Sequence, residues 1–119
     1  MAEFPAGKLD PNEGALACAV RELREETGYT AREYVFLARI HPIISYSTEF
    51  IDLYLARGLT AGERKLDEGE FLETFTATQA DLQEWVRTGQ ISDVKTIIGT
   101  MWLDKVLSGT WPLGPVLTP

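Results

Sequence analysis

The sequence predicts a mixed α/β fold in which helices pack on a sheet, and three observations predict it. Residues Gly7 to Tyr29 read as a loop feeding an amphipathic helix. Two later stretches, Glu33 to Ile40 and Phe50 to Ala56, alternate in the manner of strands, and the last third carries two further helical patterns separated by a glycine. At 119 residues the chain is expected to be one domain, with 110–119 an irregular tail. A chain of that length buries roughly two-thirds of its unfolded surface.

In the first helical stretch Asp10 is a good N-cap, Pro11 suits the first helical position, and Glu13 completes a capping-box-like start. Gly28 is the natural stop, because it takes the left-handed conformation without cost. Leu16, Val20, Leu23 and Thr27 fall on one stripe, with Ala19 beside it, and that stripe faces the core.

In the first strand Tyr34, Phe36, Ala38 and Ile40 alternate with Val35, Leu37 and Arg39, and His41-Pro42 ends it. After a connection from Ile43 to Thr48, Phe50, Asp52, Tyr54 and Ala56 alternate with Ile51, Leu53 and Leu55. Arg57 to Arg64, with Gly58 and Gly62, reads as a loop. The acidic run Leu66 to Glu73 reads as a polar turn at Gly69 leading into a strand from Phe71 to Thr76. Thr78 to Asp81 is another capping-box-like start, and the stripe Leu82, Trp85 and Val86 stops at Gly89. Ser92 or Asp93 opens the last helix, which carries Val94, Ile97, Ile98, Met101 and Leu107 and ends near Gly109. Trp111 to Pro115 is irregular.

Composition narrows the function classes. With 45% hydrophobic and 24% charged residues, this is the profile of an ordinary globular protein. The net charge of −7 argues against a non-specific nucleic-acid surface, which depends on Lys and Arg displacing counterions. A nucleotide stays compatible with it, since metal can bridge the phosphates. Cys18 is the only cysteine, so no internal disulfide forms; set among alanines, it reads as a small buried filler. No apolar run is long enough to span a bilayer, so membrane is not an expected partner and the cytoplasm is the expected location. His41 is the only histidine, which leaves no Ser-His-Asp arrangement, and there is no P-loop pattern or zinc-ligand cluster.

The feature that carries chemistry is the acidic face of the first helix. Glu22, Glu25 and Glu26 are spaced i, i+3, i+4 and share one side, where they repel one another. Either water and salt screen that repulsion or a cation neutralises it. Oxygen ligands at this spacing suit a hard divalent ion such as magnesium. Three acidic residues on an arbitrary helix, here with Arg21 and Arg24 interleaved, more often make a solvated face.

The pattern as a whole resembles the Nudix box: Gly, five residues, Glu, seven residues, Arg-Glu, an aliphatic residue, any residue, Glu-Glu, any residue, Gly, an apolar residue. Gly7, Glu13, Arg21, Glu22, Leu23, Glu25, Glu26, Gly28 and Tyr29 fit its fixed positions, Tyr29 most loosely. The resemblance implies an α/β/α sandwich with a mixed sheet beside which the box loop and helix stand. It also implies hydrolysis of a nucleoside diphosphate linked to some moiety X, assisted by Mg2+ or Mn2+. Glu22 and Glu26 match the main metal-binding carboxylates, and Glu25 a further ligand or ligand-orienting group of the catalytic set. Ala6 matches a residue that offers its backbone carbonyl to a metal. Gly7, Glu13, Arg21 and Gly28 match structural positions, with an Arg21–Glu13 ion pair fixing the loop.

Beyond the box, Glu3 to Asp10 resembles the entry strand of the ADP-ribose pyrophosphatase branch, whose longer N-terminal part supplies strands, dimer contacts and base-holding side chains. Against that branch the chain is N-terminally short. The resemblance implies a homodimer and a nucleotide-sugar substrate, with ADP-ribose giving AMP and ribose 5-phosphate. That branch carries a turn proline where this sequence has Ile44, which leaves another nucleotide sugar as an alternative, and the short N-terminal part leaves a Nudix-like module that binds without turnover as a further one. Glu49 matches a glutamate that follows the turn, and Tyr46 and Ser47 are candidate pocket residues. Glu68-Gly69-Glu70 resembles the distal catalytic loop of the branch, with Glu70 as metal ligand and Glu68 as general base, or the reverse. Gly89 to Thr96 also resembles the last helix of these enzymes.

Overall fold

The computed structural model describes residues 2–43, 49–63, 65–66 and 73–119. Its elements are α1 (Ala15–Thr27), β1 (Thr30–Ile40), β2 (Ile51–Thr60), α2 (Gln79–Arg87), α3 (Val94–Leu107) and β3 (Val116–Leu117). The sheet runs β2-β1-β3, and both of its described pairings are antiparallel.

β1 is the centre of the molecule. Its neighbours Tyr34 and Val35 point to opposite faces of the sheet, yet they are 1% and 0% exposed. Both faces are therefore covered. α1 packs against β1 and β2, α3 packs on β2, and α2 lies against α3. The arrangement is the expected α/β/α sandwich.

β1 pairs with β2 from Thr30↔Thr60 to Ile40↔Ile51, with a bulge between Phe36 and Ala38. Both strands run longer than alternation alone indicates. β1 starts at Thr30 instead of Glu33, and β2 continues through Arg57–Thr60, expected as loop. Glu33 pairs with Arg57 across the ladder at 2.7 Å, and Gly58 takes a positive φ of 70° beneath the Arg32 side chain. Cross-strand pairing holds as strand a stretch whose glycine reads locally as a turn.

The helix starts differ in one case. α1 begins at Ala15, after Gly14, because Asn12 takes a φ of 62°, which no helix tolerates. Asp10 and Glu13 close a separate turn in front of it: Glu13 N donates to Asp10 O, and Asp10 N donates to Glu13 Oε1, both at 3.0 Å. The expected stop is kept, with Gly28 at φ 80° donating its N–H to Arg24 O. The Leu16, Val20, Leu23 stripe is half-buried, and Cys18 is the fully buried residue of α1.

α2 carries the expected capping box: Asp81 N donates to Thr78 Oγ1 and Thr78 N to Asp81 Oδ2. Asp93 caps α3, which ends at Ser108 before the left-handed Gly109. Of the expected strand Phe71 to Thr76, residues 71–72 lie outside the described residues and 73–76 form no regular element.

The tail read as irregular adds a strand. Trp111 N donates to Lys105 O, and the Trp111 ring meets Trp102 edge-to-face with centroids 4.5 Å apart. That contact turns the chain back, and Val116 and Leu117 pair with Val35 and Tyr34 on the second edge of β1.

Candidate active site

The site grows from the loop that precedes α1 and is drawn onto that helix by Arg21. The guanidinium forks onto Glu13, with Nε 2.9 Å from Oε2 and Nη2 2.9 Å from Oε1. Its Nη1 donates to Glu22 Oε1 at 2.8 Å and to Glu25 Oε2 at 3.1 Å, and its Nη2 to Lys8 O at 3.0 Å. Asp10, free of helix capping, pairs with Nε at 3.3 Å. A planar cation with five donors is the side chain that can hold loop and helix together in this way.

The electrostatics follow from that geometry. The hydrogen bonds from Arg21, with the backbone bond from Asp10, lower the Glu13 carboxyl to about 2, and the hydrogen bonds to Glu13 and Glu22 raise Arg21. Cys18 lies under the loop, its Sγ donating to Gly7 O at 3.7 Å. Burial pushes its thiol up, which fits a filler and not a nucleophile.

Gly7 is the close approach of the loop. A Cβ there would stand 2.0 Å from the Glu22 carboxyl carbon, so only glycine leaves room for that carboxylate. One residue earlier, Ala6 N donates to Glu26 Oε2 at 3.1 Å. Glu22 and Glu25 are thus gathered by Arg21, and Glu26 is gathered by the loop backbone.

The far side of the box is tied to the segment after β2. Lys65 N donates to Glu25 O at 2.7 Å, and Gly62 lies so close to the α1 C-cap that a Cβ would be 2.9 Å from Gly28 O. Glu68 and Glu70, like Tyr46 and Ser47, lie outside the described residues; Glu49 is exposed at the entry to β2. A cavity of about 300 Å³ adjoins Glu26, with Phe4, Phe75, Leu82, Ile91 and Thr96 among its walls.

Among the described residues no three His, Cys, Asp or Glu side chains converge as a metal-binding group. The donor chemistry of the box still fits a hard divalent cation: Glu22, Glu25 and Glu26 offer carboxylate oxygens only, and the glycine cradle gives one of them space. Reading the sequence missed Asp10 as a partner of Arg21 and Cys18 as a support of the loop. Both lie on the Arg21 side of the motif, and the i, i+3 relation of Cys18 to Arg21 was the signal available.

The comparisons with known proteins agree with this geometry. Residues 1–95 match the NUDIX domain. The chain is 36% identical over 103 residues to an ADP-ribose pyrophosphatase of Bacillus subtilis (strain 168), a match covering 85% of this chain and 56% of that protein. It is equally similar to a methanol dehydrogenase activator of Bacillus methanolicus, at 36% over 103 residues and with the same shares of each chain. The crystal structure of an ADP compounds hydrolase has a TM-score of 0.75 and 24% identity, covering 86% of this chain and 55% of that one, a likeness of fold. The chain spans little more than half the length of these relatives. No helix among the described residues is long and apolar enough to cross a membrane. With the NUDIX domain matched over 1–95 and the box residues gathered around Arg21, this chain belongs to the Nudix family.

Proposed function

We infer that residues 1–119 act as a single Nudix hydrolase domain that cleaves the pyrophosphate bond of ADP-ribose or a related nucleoside diphosphate sugar. From ADP-ribose the products are AMP and ribose 5-phosphate. The observation that carries this reading is the Arg21 hub, which orders Glu22 and Glu25 on one side of α1 and ties both to the loop through Glu13. An acidic surface with no task has no need of a partly buried arginine organising it.

In this reading Glu22 and Glu26 would hold Mg2+ or Mn2+, with Glu25, the Ala6 carbonyl and Glu70 completing the set. When bound, the ion would supply charge neutralisation for the anionic pyrophosphate and would lower the pKa of the attacking water. Glu68 accepts the proton of the attacking water as general base. Gly7, Glu13, Arg21 and Gly28 hold the geometry, and Tyr46, Ser47 and Glu49 contact the substrate. No covalent enzyme intermediate is required. The similarity to an ADP-ribose pyrophosphatase supports the substrate class, and a cytoplasmic homodimer is the form proposed to act.

A second reading has a specific observation behind it. Glu22 and Glu25 both accept hydrogen bonds from Arg21, as a module that binds a nucleotide without turnover would have it. AMP release from ADP-ribose with Mg2+, run beside a chelator control, separates the two. Metal-dependent release is the expected result. No release from ADP-ribose or from a panel of nucleotide sugars, in folded protein, would leave the binding module.

A further inference from the structure

Residues 3–6 bridge α3 to the box, and their α3 end is held by groups the catalytic reading does not use. Thr96 is 1% exposed. Its Oγ1 accepts the Phe4 N–H at 3.1 Å and donates to Asp93 Oδ2 at 2.6 Å. A hydroxyl has one proton and two lone pairs, so it makes both bonds at once and each polarises the other. Asp93 Oδ2 also takes Thr96 N at 3.1 Å and Lys95 Nζ at 3.0 Å, and Lys95 reaches Glu3 Oε1 at 3.5 Å. Burial by itself would raise the Asp93 carboxyl, but the hydrogen bonds from Thr96 and Lys95 hold it below its usual range, as an ionised acceptor.

The Phe4 side chain is fixed as well. A Cβ at Gly99 would lie 2.8 Å from Phe4 Cε2, so a glycine inside α3 is what admits the ring. Pro5 follows, with its φ locked and with Phe4 biased to extended backbone. Next comes Ala6, whose N–H donates to Glu26 Oε2 at 3.1 Å. Two residues of chain reach only about 7 Å, and a proline between them leaves little slack. Thr96, Phe4, Pro5 and Glu26 also line one cavity, so the two anchors face the same space.

We propose that Thr96 is a positioning residue for the box: its hydroxyl fixes the Phe4 backbone, the stiff Phe4-Pro5-Ala6 segment carries that position, and the Ala6 amide sets the Glu26 carboxylate. What Glu26 then does rests on the functional reading above; the coupling from Thr96 to Ala6 does not.

The test compares Thr96→Val, which keeps the shape and removes the hydroxyl, with Thr96→Ser, which restores it. The two readouts are exchange of the Ala6 amide by NMR and Mn2+ affinity by EPR without nucleotide. In Thr96→Val the Ala6 amide exchanges roughly tenfold faster, the scale of one lost hydrogen bond. Its Mn2+ affinity falls about tenfold, as when a group that orients a ligand is removed. Thr96→Ser matches wild type in both. Wild-type behaviour of folded Thr96→Val in both readouts, or equal impairment of the serine variant, would overturn the proposal. If Thr96→Val does not fold, Gly99→Ala displaces the Phe4 ring without touching the cap and is held to the same readouts. If wild type binds no Mn2+, the functional reading fails while Ala6 exchange still decides the coupling.

Discussion

Gly7 and Glu22 meet so closely that a methyl group on Gly7 would stand 2.0 Å from the Glu22 carboxyl carbon and 2.1 Å from its Oε1. The first prediction follows from which atom must give way. The Glu22 carboxylate is the end of a flexible side chain, and Gly7 has an ordinary negative-side backbone, so Gly7→Ala costs the fold little. Reduced freedom of the unfolded chain offsets what it does cost, by about 0.4–1 kcal/mol. The displaced carboxylate, however, no longer meets its partners. Urea midpoints should stay within error of wild type while Mn2+ affinity drops about tenfold; unchanged affinity would show that Glu22 is no ligand.

Arg21→Lys keeps the charge and loses the fork. One ammonium cannot grip both Glu13 oxygens and also bridge Glu22, Glu25 and the Lys8 carbonyl, as the guanidinium does. The expected outcome is a lower urea midpoint and a fall in kcat of roughly tenfold or more, with KM for the nucleotide sugar little changed. An equal loss in Arg21→Lys and Arg21→Ala would mark geometry, not charge, as what matters. Full activity in the lysine variant would refute the hub as the organiser of the site.

Glu13 predicts an acid response. Its folded carboxyl lies at about 2 against an ordinary value of 4.5, so the ionised form favours the folded state. Its stabilising contribution is fully present above the unfolded value and is lost as pH falls through the folded one. The wild-type urea midpoint should therefore fall between about pH 4.5 and pH 2 more steeply than that of Glu13→Gln, which has no proton to take up there. Parallel pH profiles for the two proteins would remove Glu13 from that role.

These three positions were also the ones most readable from sequence. Gly7, Glu13 and Arg21 are fixed positions of the Nudix-box pattern, so the resemblance to that motif, which spans one loop and one helix, is what made them legible. The helix start was misread because Asp10-Pro11 is a good local cap, whereas Arg21, far along the chain, claims the Asp10 side chain and Asn12 takes a left-handed turn. Strand ends were misread for a similar reason: Gly58 says turn locally, and only the pairing partner Arg32–Glu33 holds it as strand. β3 was invisible because a Pro- and Gly-flanked pair of residues is strand only when an open edge waits for it. The Thr96–Phe4 bond joins residues that no local pattern connects.

That open edge gives a fourth prediction. Removing residues 112–119 strips Val116 and Leu117 from Val35 and Tyr34 while leaving Trp111 on Trp102. The loss should be about 1–2 kcal/mol, the scale of a short strand pairing and a partly buried aliphatic side chain. Exposed backbone along β1 should also promote association of the shortened protein. Urea denaturation and light scattering measure the two effects, and a truncated protein as stable and as dispersed as the full chain would show β3 to be incidental.

The last prediction separates ligand from scaffold at Glu26. Its Oε2 accepts the Ala6 N–H at 3.1 Å, and a glutamine there keeps a carbonyl oxygen for that bond while losing the negative charge. Glu26→Gln should therefore fold as wild type does, yet hydrolyse ADP-ribose about 10–100-fold more slowly or worse, as loss of a metal-holding carboxylate does. Hydrolysis at the wild-type rate would mean that the metal assignment on this face of α1 is wrong. Glu68→Gln and Glu70→Gln extend the comparison to the acidic segment beyond Lys65. Loss of a base lowers kcat at every Mg2+ concentration, whereas loss of a ligand is partly recovered as Mg2+ is raised. A Glu68→Gln variant rescued by Mg2+, beside a Glu70→Gln variant that is not, would exchange the two roles.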